Sequence, residues 1–276
     1  MPWTTDVIYR YDGSFCGLLC CVFESYVKKE IPLDIVSEES PQGSLYPEKW
    51  IETIEVRAQR VYRSLGQRIH PEAGRFLKDC FLTCLVSKEI LIYRFINLGY
   101  RIGGRIFNNL TEETVHILNK AVKHLYHETH LLTGFVRFSD CAGTLVSVIE
   151  PKNNVLPLLS GHFCDRYPEE RFLIYDKTHR LALVYQPYQA EFLEADGFLP
   201  PEPDAREENF RNLWKKFHET IAIEGRYNPK CQRTHLPIRY RDYMTEFQQS
   251  APPLSHPVEF PGTQGNALED GSNRPL

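Results

Sequence analysis

Long apolar runs are missing from this chain. The longest, FCGLLCCVF, is far too short to span a bilayer, which takes about 20 residues. The opening MPWTTDVIYRYDG has no basic segment followed by an apolar one, so no secretory leader is read and a cytoplasmic, reducing compartment is expected. No G-x-G-x-x-G, P-loop or G-x-S-x-G occurs, which removes the sequence case for a nucleotide fold or a hydrolase elbow. No internal repeat is apparent. An excess of either charge is missing too. The net charge of -4 over 276 residues gives no whole-chain argument for nucleic acid, so basic charge has to be read locally.

What is present suits a soluble globular protein with a sizeable core: 42% of residues are hydrophobic and 25% charged. The cysteines sit in apolar, helix-like stretches such as CGLLCC and DCFLTC, where free thiols pack as small hydrophobes. Four of them, Cys16, Cys20, Cys80 and Cys84, form two four-residue steps that could hold zinc or an iron–sulfur cluster, but helix packing is the favoured reading.

DVIYRYDG reads as a strand and turn, followed by a helix carrying Phe15, Leu18, Leu19, Val22 and Tyr26, with Asp12 or Ser14 as its cap. Residues 32–47 read as a Pro-rich loop, and 48–132 as mainly helical. The clearest helix spans 111–132, capped by Thr111, with Val115, Leu118, Val122, Leu125 and Leu132 in one stripe. The period then changes. GFVRFSD, TLVSVIEP, RFLIYDKT and LALVYQP read as strands around a short helix, a small antiparallel β-β-α-β-β block at about 134–187. An acidic, Pro-rich connector at 188–209 leads to a helix with Phe210, Leu213, Trp214, Phe217 and Ile221 on one face, and YRDYMTEF reads as a last short helix. The expected fold class is α+β, with one domain over 1–249 and a disordered tail over 250–276.

HLYHETH at 124–130 invites a metal site. On a helical wheel, however, His116, His124 and His127 lie opposite the apolar stripe beside Lys120 and Lys123, with His130 at the edge. A solvated basic face is the expectation, and no metal ligand is assigned.

Basic charge gathers in two places. VRAQRVYRSLGQR places Arg57, Arg60 and Arg63 near one side of a helix. RYNPKCQRTHLPIRYRDY carries Arg226, Lys230, Arg233, Arg239 and Arg241 with Tyr227, Tyr240 and Tyr243 between them. Guanidinium forks suit phosphate, and aromatic rings suit exposed bases. Gly103 and Gly104 read as a turn between helices. In FVRF, Arg137 needs a partner if its sheet face is covered, with Glu150 and Asp176 as candidates. GHFCDRY supplies His162, Asp165 and Arg166. His162 with Asp165 or Asp176 is an acid/base candidate, against a structural ion-pair network.

Four segments in order, YRYDGSFCGLLCCVFESY, HETHLLTGFVRF, IEPKNNVLPLLSGHFCDRYPEERFLIYDKTHRLALVY and LWKKFHETIAIEGRYNPKCQRTHLPIRYRDYMTEF, resemble a bacterial family of DNA-metabolism or DNA-repair proteins, a domain of unknown function. The resemblance runs from about Asp6 to Phe247 and includes Arg137, His162, Arg166, Asp176, Arg226, Arg239 and Tyr240. It implies a radical-SAM DNA-repair protein as partner, and a link to a uracil-DNA glycosylase-like protein. Any iron–sulfur cluster and S-adenosylmethionine would belong to the partner, with no cofactor in this chain. Cys16 stands where the family pattern has glutamate, and none of the cysteines belongs to that pattern.

The expected function is therefore a DNA-binding accessory protein. Its nucleic-acid contacts would be Arg137, Arg166, Arg226, Lys230, Arg239 and Tyr240, joined by Arg57, Arg60 and Arg63. The alternatives are a glycosylase- or lyase-type enzyme using His162 with Asp165 or Asp176, and a protein–protein scaffold without DNA contact.

Overall fold

The computed structural model describes residues 6–38 and 45–248. The expected tail at 250–276 lies outside them. The chain is α+β, with helix the larger share and two sheets.

The first sheet is parallel. Strand β1 (Ile8–Tyr11) lies between β2 (Asp34–Ser37) and β3 (Glu48–Trp50). Tyr9 and Tyr11 alternate inward and are fully buried. The stretch expected to be loop thus contains a strand. DIVS is short and polar at both ends, so it shows no period of its own. It becomes a strand by pairing with β1, continued by Glu38 N–H donating to Tyr11 O at 2.9 Å.

Helix α1 (Phe15–Lys28) follows β1, and Ser14 is its cap, accepting from Gly17 N–H at 2.9 Å. Asp12 holds Ser14 in turn, accepting from its hydroxyl at 2.7 Å. Gly17 is required for close approach. A β-carbon there would meet Asp12 Oδ1 and lie 2.7 Å from Thr53 Oγ1 and 2.8 Å from the Tyr11 ring. Gly17→Ala is expected to cost about 1–3 kcal/mol through overpacking, read as a lower midpoint in urea unfolding with the slope unchanged.

Helices α2 (Glu55–Arg68), α3 (Ala73–Leu82) and α4 (Lys88–Ile102) pack on this sheet and on α1. Gly103 has φ 66 and turns the chain out of α4, as the two glycines suggested. Helix α5 (Glu113–Phe135) keeps the expected stripe but not the expected cap. Thr111 hydroxyl donates to Asn109 Oδ1 at 2.9 Å, and Glu112 occupies the cap position without a side-chain bond. Val115, Leu118 and Val122 belong to the first core, whereas Leu125 and Leu132 belong to a second.

The second sheet has the order β4-β5-β6-β7-β8, with β4 (Ser139–Cys141), β5 (Thr144–Ile149), β6 (Phe172–Asp176), β7 (Leu181–Gln186) and β8 (Gln189–Glu194). It differs from the expected block in three ways. Residues 134–138 are not strand, because α5 runs on through Gly134 to Phe135. β5 and β6 are parallel, because α6 (Leu156–Arg166) carries the chain back across the sheet before β6 begins. β8 is a fifth strand in the supposed connector, and all six of its residues are exposed, so no alternation marks it. The expected tight antiparallel connection between β6 and β7 is present. One sheet face packs Ile149, Phe172, Ile174, Leu183 and Tyr185 against α5 and α6. After β8 come α7 (Ala205–Ile221), α8 (Pro229–His235) and two 3-10 turns at Ile238–Tyr243 and Thr245–Phe247, where one last helix was expected.

Candidate nucleic-acid interface

The glutamate within HLYHETH, rather than its histidines, is the chemically constrained member. Glu128 stands three residues after Leu125 and four before Leu132, so it occupies the apolar stripe of α5 and is 1% exposed. A buried carboxylate needs donors. Glu128 accepts from the backbone N–H of Lys152 (3.0 Å) and Asn153 (2.8 Å), and from the Asn153 side-chain amide. It also accepts from Tyr240 hydroxyl (3.0 Å) and from Arg239 Nη2 (2.7 Å). Burial pushes its carboxyl up, but the two amides, the Asn153 side chain and Tyr240 together hold it below the ordinary glutamate value. Burial drives the Tyr240 hydroxyl up to about 12, so it remains a neutral donor. Arg239 and Tyr240 thus anchor the C-terminal segment to α5. Tyr240 is 3% exposed and offers no face to a base. Glu128 was legible as a polar residue at a stripe position.

Arg137 is partnered by neither Glu150 nor Asp176. Its fork is bidentate to Glu246, with Nη2 at 2.8 Å and Nε at 3.3 Å. Glu246 also accepts from Trp214 Nε1 at 3.1 Å, and the Arg137 guanidinium lies 5.8 Å from the Trp214 ring centre. Burial raises the Glu246 carboxyl, and Arg137 leads the groups that more than offset this, so it too sits below the ordinary value. A folded-state value below the unfolded one contributes stability that is present above the ordinary 4.5 and lost as pH falls through the lower folded value. Calorimetric melting between about pH 7 and about pH 3 is therefore expected to show the midpoint falling below about pH 4.5, with Glu246→Gln flattening that fall.

Trp214 opens onto the apolar face expected of this helix, and that face is not covered. The apolar stripe of α7 forms as its spacing predicts, but Phe210 (53%), Leu213 (63%), Trp214 (40%), Phe217 (53%) and Ile221 (57%) are all exposed. The Trp214 and Phe217 rings lie 5.8 Å apart at 31°. Beyond Ile221 the stripe runs into a depression of about 610 Å³ lined by Ile221, Ile223, Arg226 and Tyr227. Tyr227 is 71% exposed. Arg226, Lys230 and Arg233 are exposed as well, and none has a carboxylate within ion-pair distance among the described residues. Flat rings interleaved with cations that lack acidic partners can stack bases and hold phosphates. Arg137 lies beside Trp214, and Arg226 lines the depression beyond Ile221. Arg166 lies apart on α6, exposed, over the Tyr167 ring at 5.7 Å.

The acid/base candidates are not assembled as one group. His162 and Asp165 are exposed and share no hydrogen bond. Asp176 is fully buried and partners His179, whose Nδ1 lies 2.7 Å from Asp176 Oδ2. Its other oxygen accepts from the backbone N–H of Thr178 and His179 in the β6–β7 turn. His179 was missed because DKTH reads simply as a turn. In the histidine run, His116, His124, His127 and His130 are exposed, and His124 Nδ1 lies 2.9 Å from Asn153 Nδ2. Among the described residues no group of three or more His, Cys, Asp and Glu side chains is placed to hold a metal, and no helix is long and apolar enough to cross a membrane.

Compared with known families, residues 86–246 match one described as a domain of unknown function, DUF4130. No curated protein and no solved structure matches the chain.

Proposed function

We propose that this chain, which belongs to the DUF4130 family of domains of unknown function, is a nucleic-acid-binding accessory protein that takes a single strand along α7 and α8. One observation carries the reading: the aromatic stripe of α7 lies in water and continues into Arg226 and Tyr227, and the exposed Lys230 and Arg233 follow on α8. An exposed stripe of this size is costly without an occupant. Rings and guanidinium groups together suit exposed bases on a charged backbone. Duplex DNA, with its bases stacked inside, makes less use of the rings. Arg239 and Tyr240 serve this surface indirectly, by fixing the segment that follows α8 through Glu128.

The aliphatic members Leu213, Ile221 and Ile223 favour a second use of the same face, as a dock for a protein partner. The sequence resemblance names a radical-SAM DNA-repair protein for that role, and on this reading the cluster and S-adenosylmethionine reside there.

The test is fluorescence anisotropy with labelled single-stranded, duplex and uracil-containing oligonucleotides at two salt concentrations. The expected result is preference for the single strand, with affinity falling steeply as salt rises. Absence of binding to every strand at low salt would sink the nucleic-acid reading and leave the protein dock. Strand cleavage or base release from the uracil-containing probe would favour the glycosylase- or lyase-type alternative.

A further inference from the structure

A second charged surface is built from α1 and α2, which precede the span matched by the family, and from Tyr100 within it. Helices α1 and α2 enclose a solvent-open groove of about 750 Å³, within the usual range for small-ligand sites. One wall is a stripe of α2: Val56, Gln59, Arg60, Arg63, Gln67 and Arg68. The other is Phe23, Tyr26 and Val27 of α1, with Tyr100 of α4 at the base.

Three features set this groove apart. First, no carboxylate lines it. Arg57, on the same helix, lies 3.8 Å from Glu24, but Arg60, Arg63 and Arg68 have no acidic partner among the described residues. Like charges one turn apart on a helix repel, as Arg60 and Arg63 are, and with Arg68 also uncompensated on this wall the cost is one that an anion removes. Second, the opposite wall is apolar and aromatic. The Tyr26 and Tyr100 rings meet edge-on at 5.7 Å, and Arg60 lies over Phe23 at 6.0 Å. Third, two exposed amides stand beside that wall: Gln67 offers a donor and an acceptor, and Gln59, which gives one N–H to Glu55 at 2.9 Å, keeps its acceptor oxygen and its second N–H.

An anionic head, a flat apolar body and polar edges on that body are the properties of a phosphorylated nucleoside. We propose that the α1–α2 groove binds a nucleotide, its phosphate held by Arg60, Arg63 and Arg68 and its base lying against Phe23 and Tyr26. The ligand is either a free nucleotide or the phosphorylated end of a strand, since both present the same chemistry. The site is independent of the α7–α8 surface.

The experiment is a titration of the full chain with a fluorescent AMP derivative, read by anisotropy. Saturable binding is expected. The double substitution Arg60→Ala with Arg63→Ala is expected to weaken it by roughly tenfold or more, because two charged hydrogen-bond donors are removed. Arg226→Ala with Lys230→Ala is expected to leave it unchanged. Gln67→Glu, which keeps the size of an exposed side chain, is expected to weaken binding by adding a negative charge, and it guards against a folding defect in the double variant. Unlabelled AMP that competes where a 5′-phosphorylated oligonucleotide does not assigns a free nucleotide. Equal competition by the oligonucleotide assigns a strand end. Failure to saturate, or binding undiminished in both groove variants, overturns the proposal.

Discussion

Glu128→Ala is expected to be the most damaging single substitution around the second core, lowering stability by about 3–5 kcal/mol, the usual cost of breaking a buried ion pair. The side chain is 1% exposed, so water cannot replace it. Its removal strands two backbone amides, the Asn153 side chain, the Tyr240 hydroxyl and the Arg239 guanidinium at once. A cavity remains on the α5 stripe between Leu125 and Leu132. For a domain of this size, thermal denaturation should then begin roughly 10 °C lower. Glu128→Gln keeps the shape, accepts through one oxygen and loses the charge, so it should fall between. Limited proteolysis should cut near Arg239 and Arg241 before the melt, since the segment loses its main anchor. A melting point within about 2 °C of the parent for Glu128→Ala would refute the anchoring role. Arg239→Ala removes the cation of the same pair, so reduced DNA binding in that variant alone would report on fold rather than on contact.

The second large effect is expected at the α7–α8 surface. Trp214→Ala removes a ring available for stacking, worth about 1–3 kcal/mol per base by alanine substitution. Trp214 also donates to Glu246, so Trp214→Phe is the control that keeps a ring and loses only that bond. Arg226→Ala with Lys230→Ala removes two exposed cations that make no ion pair among the described residues, so the fold should be indifferent to their loss. Single-strand affinity at low salt should drop roughly tenfold to a hundredfold in each background. The variants should differ in kind. The cation pair should flatten the salt dependence by about 0.7 in the logarithmic slope for each phosphate no longer neutralised, whereas Trp214→Ala should leave the slope unchanged. Equal slopes in both would show that Arg226 and Lys230 touch no phosphate.

Legibility in the sequence follows the range of the interaction. α1 and α5 were readable because their apolar residues recur at helical spacing and their ends carry local signals, although Thr111 was a false cap. Glu128 was readable in principle as a carboxylate inside a stripe. Its partner Arg239 was not, because 111 residues separate them and only the fold brings them together. The same holds for Arg137 and Glu246, 109 residues apart. β2 and β8 were hidden because each is a strand by virtue of its neighbour rather than its own alternation. The α7 stripe shows a different limit. Periodicity reveals that a helix has an apolar side, but it does not say what covers that side, and here water does.

The division of α5 between two cores has a consequence for where this protein can be cut. The family span begins at residue 86, between α3 and α4. Yet Ile92, Phe95 and Ile96 of α4, and Val115 and Leu118 of α5, are buried in the same cluster as Tyr9, Leu18, Leu65 and Leu77 from earlier in the chain. The boundary of kinship and the boundary of self-sufficiency therefore fall in different places. A fragment trimmed to the shared span would carry half of a hydrophobic interior as its outer surface. Such a fragment would need a substitute for the missing half, supplied by another chain or by altered residues along α4 and α5, before it could stay in solution alone.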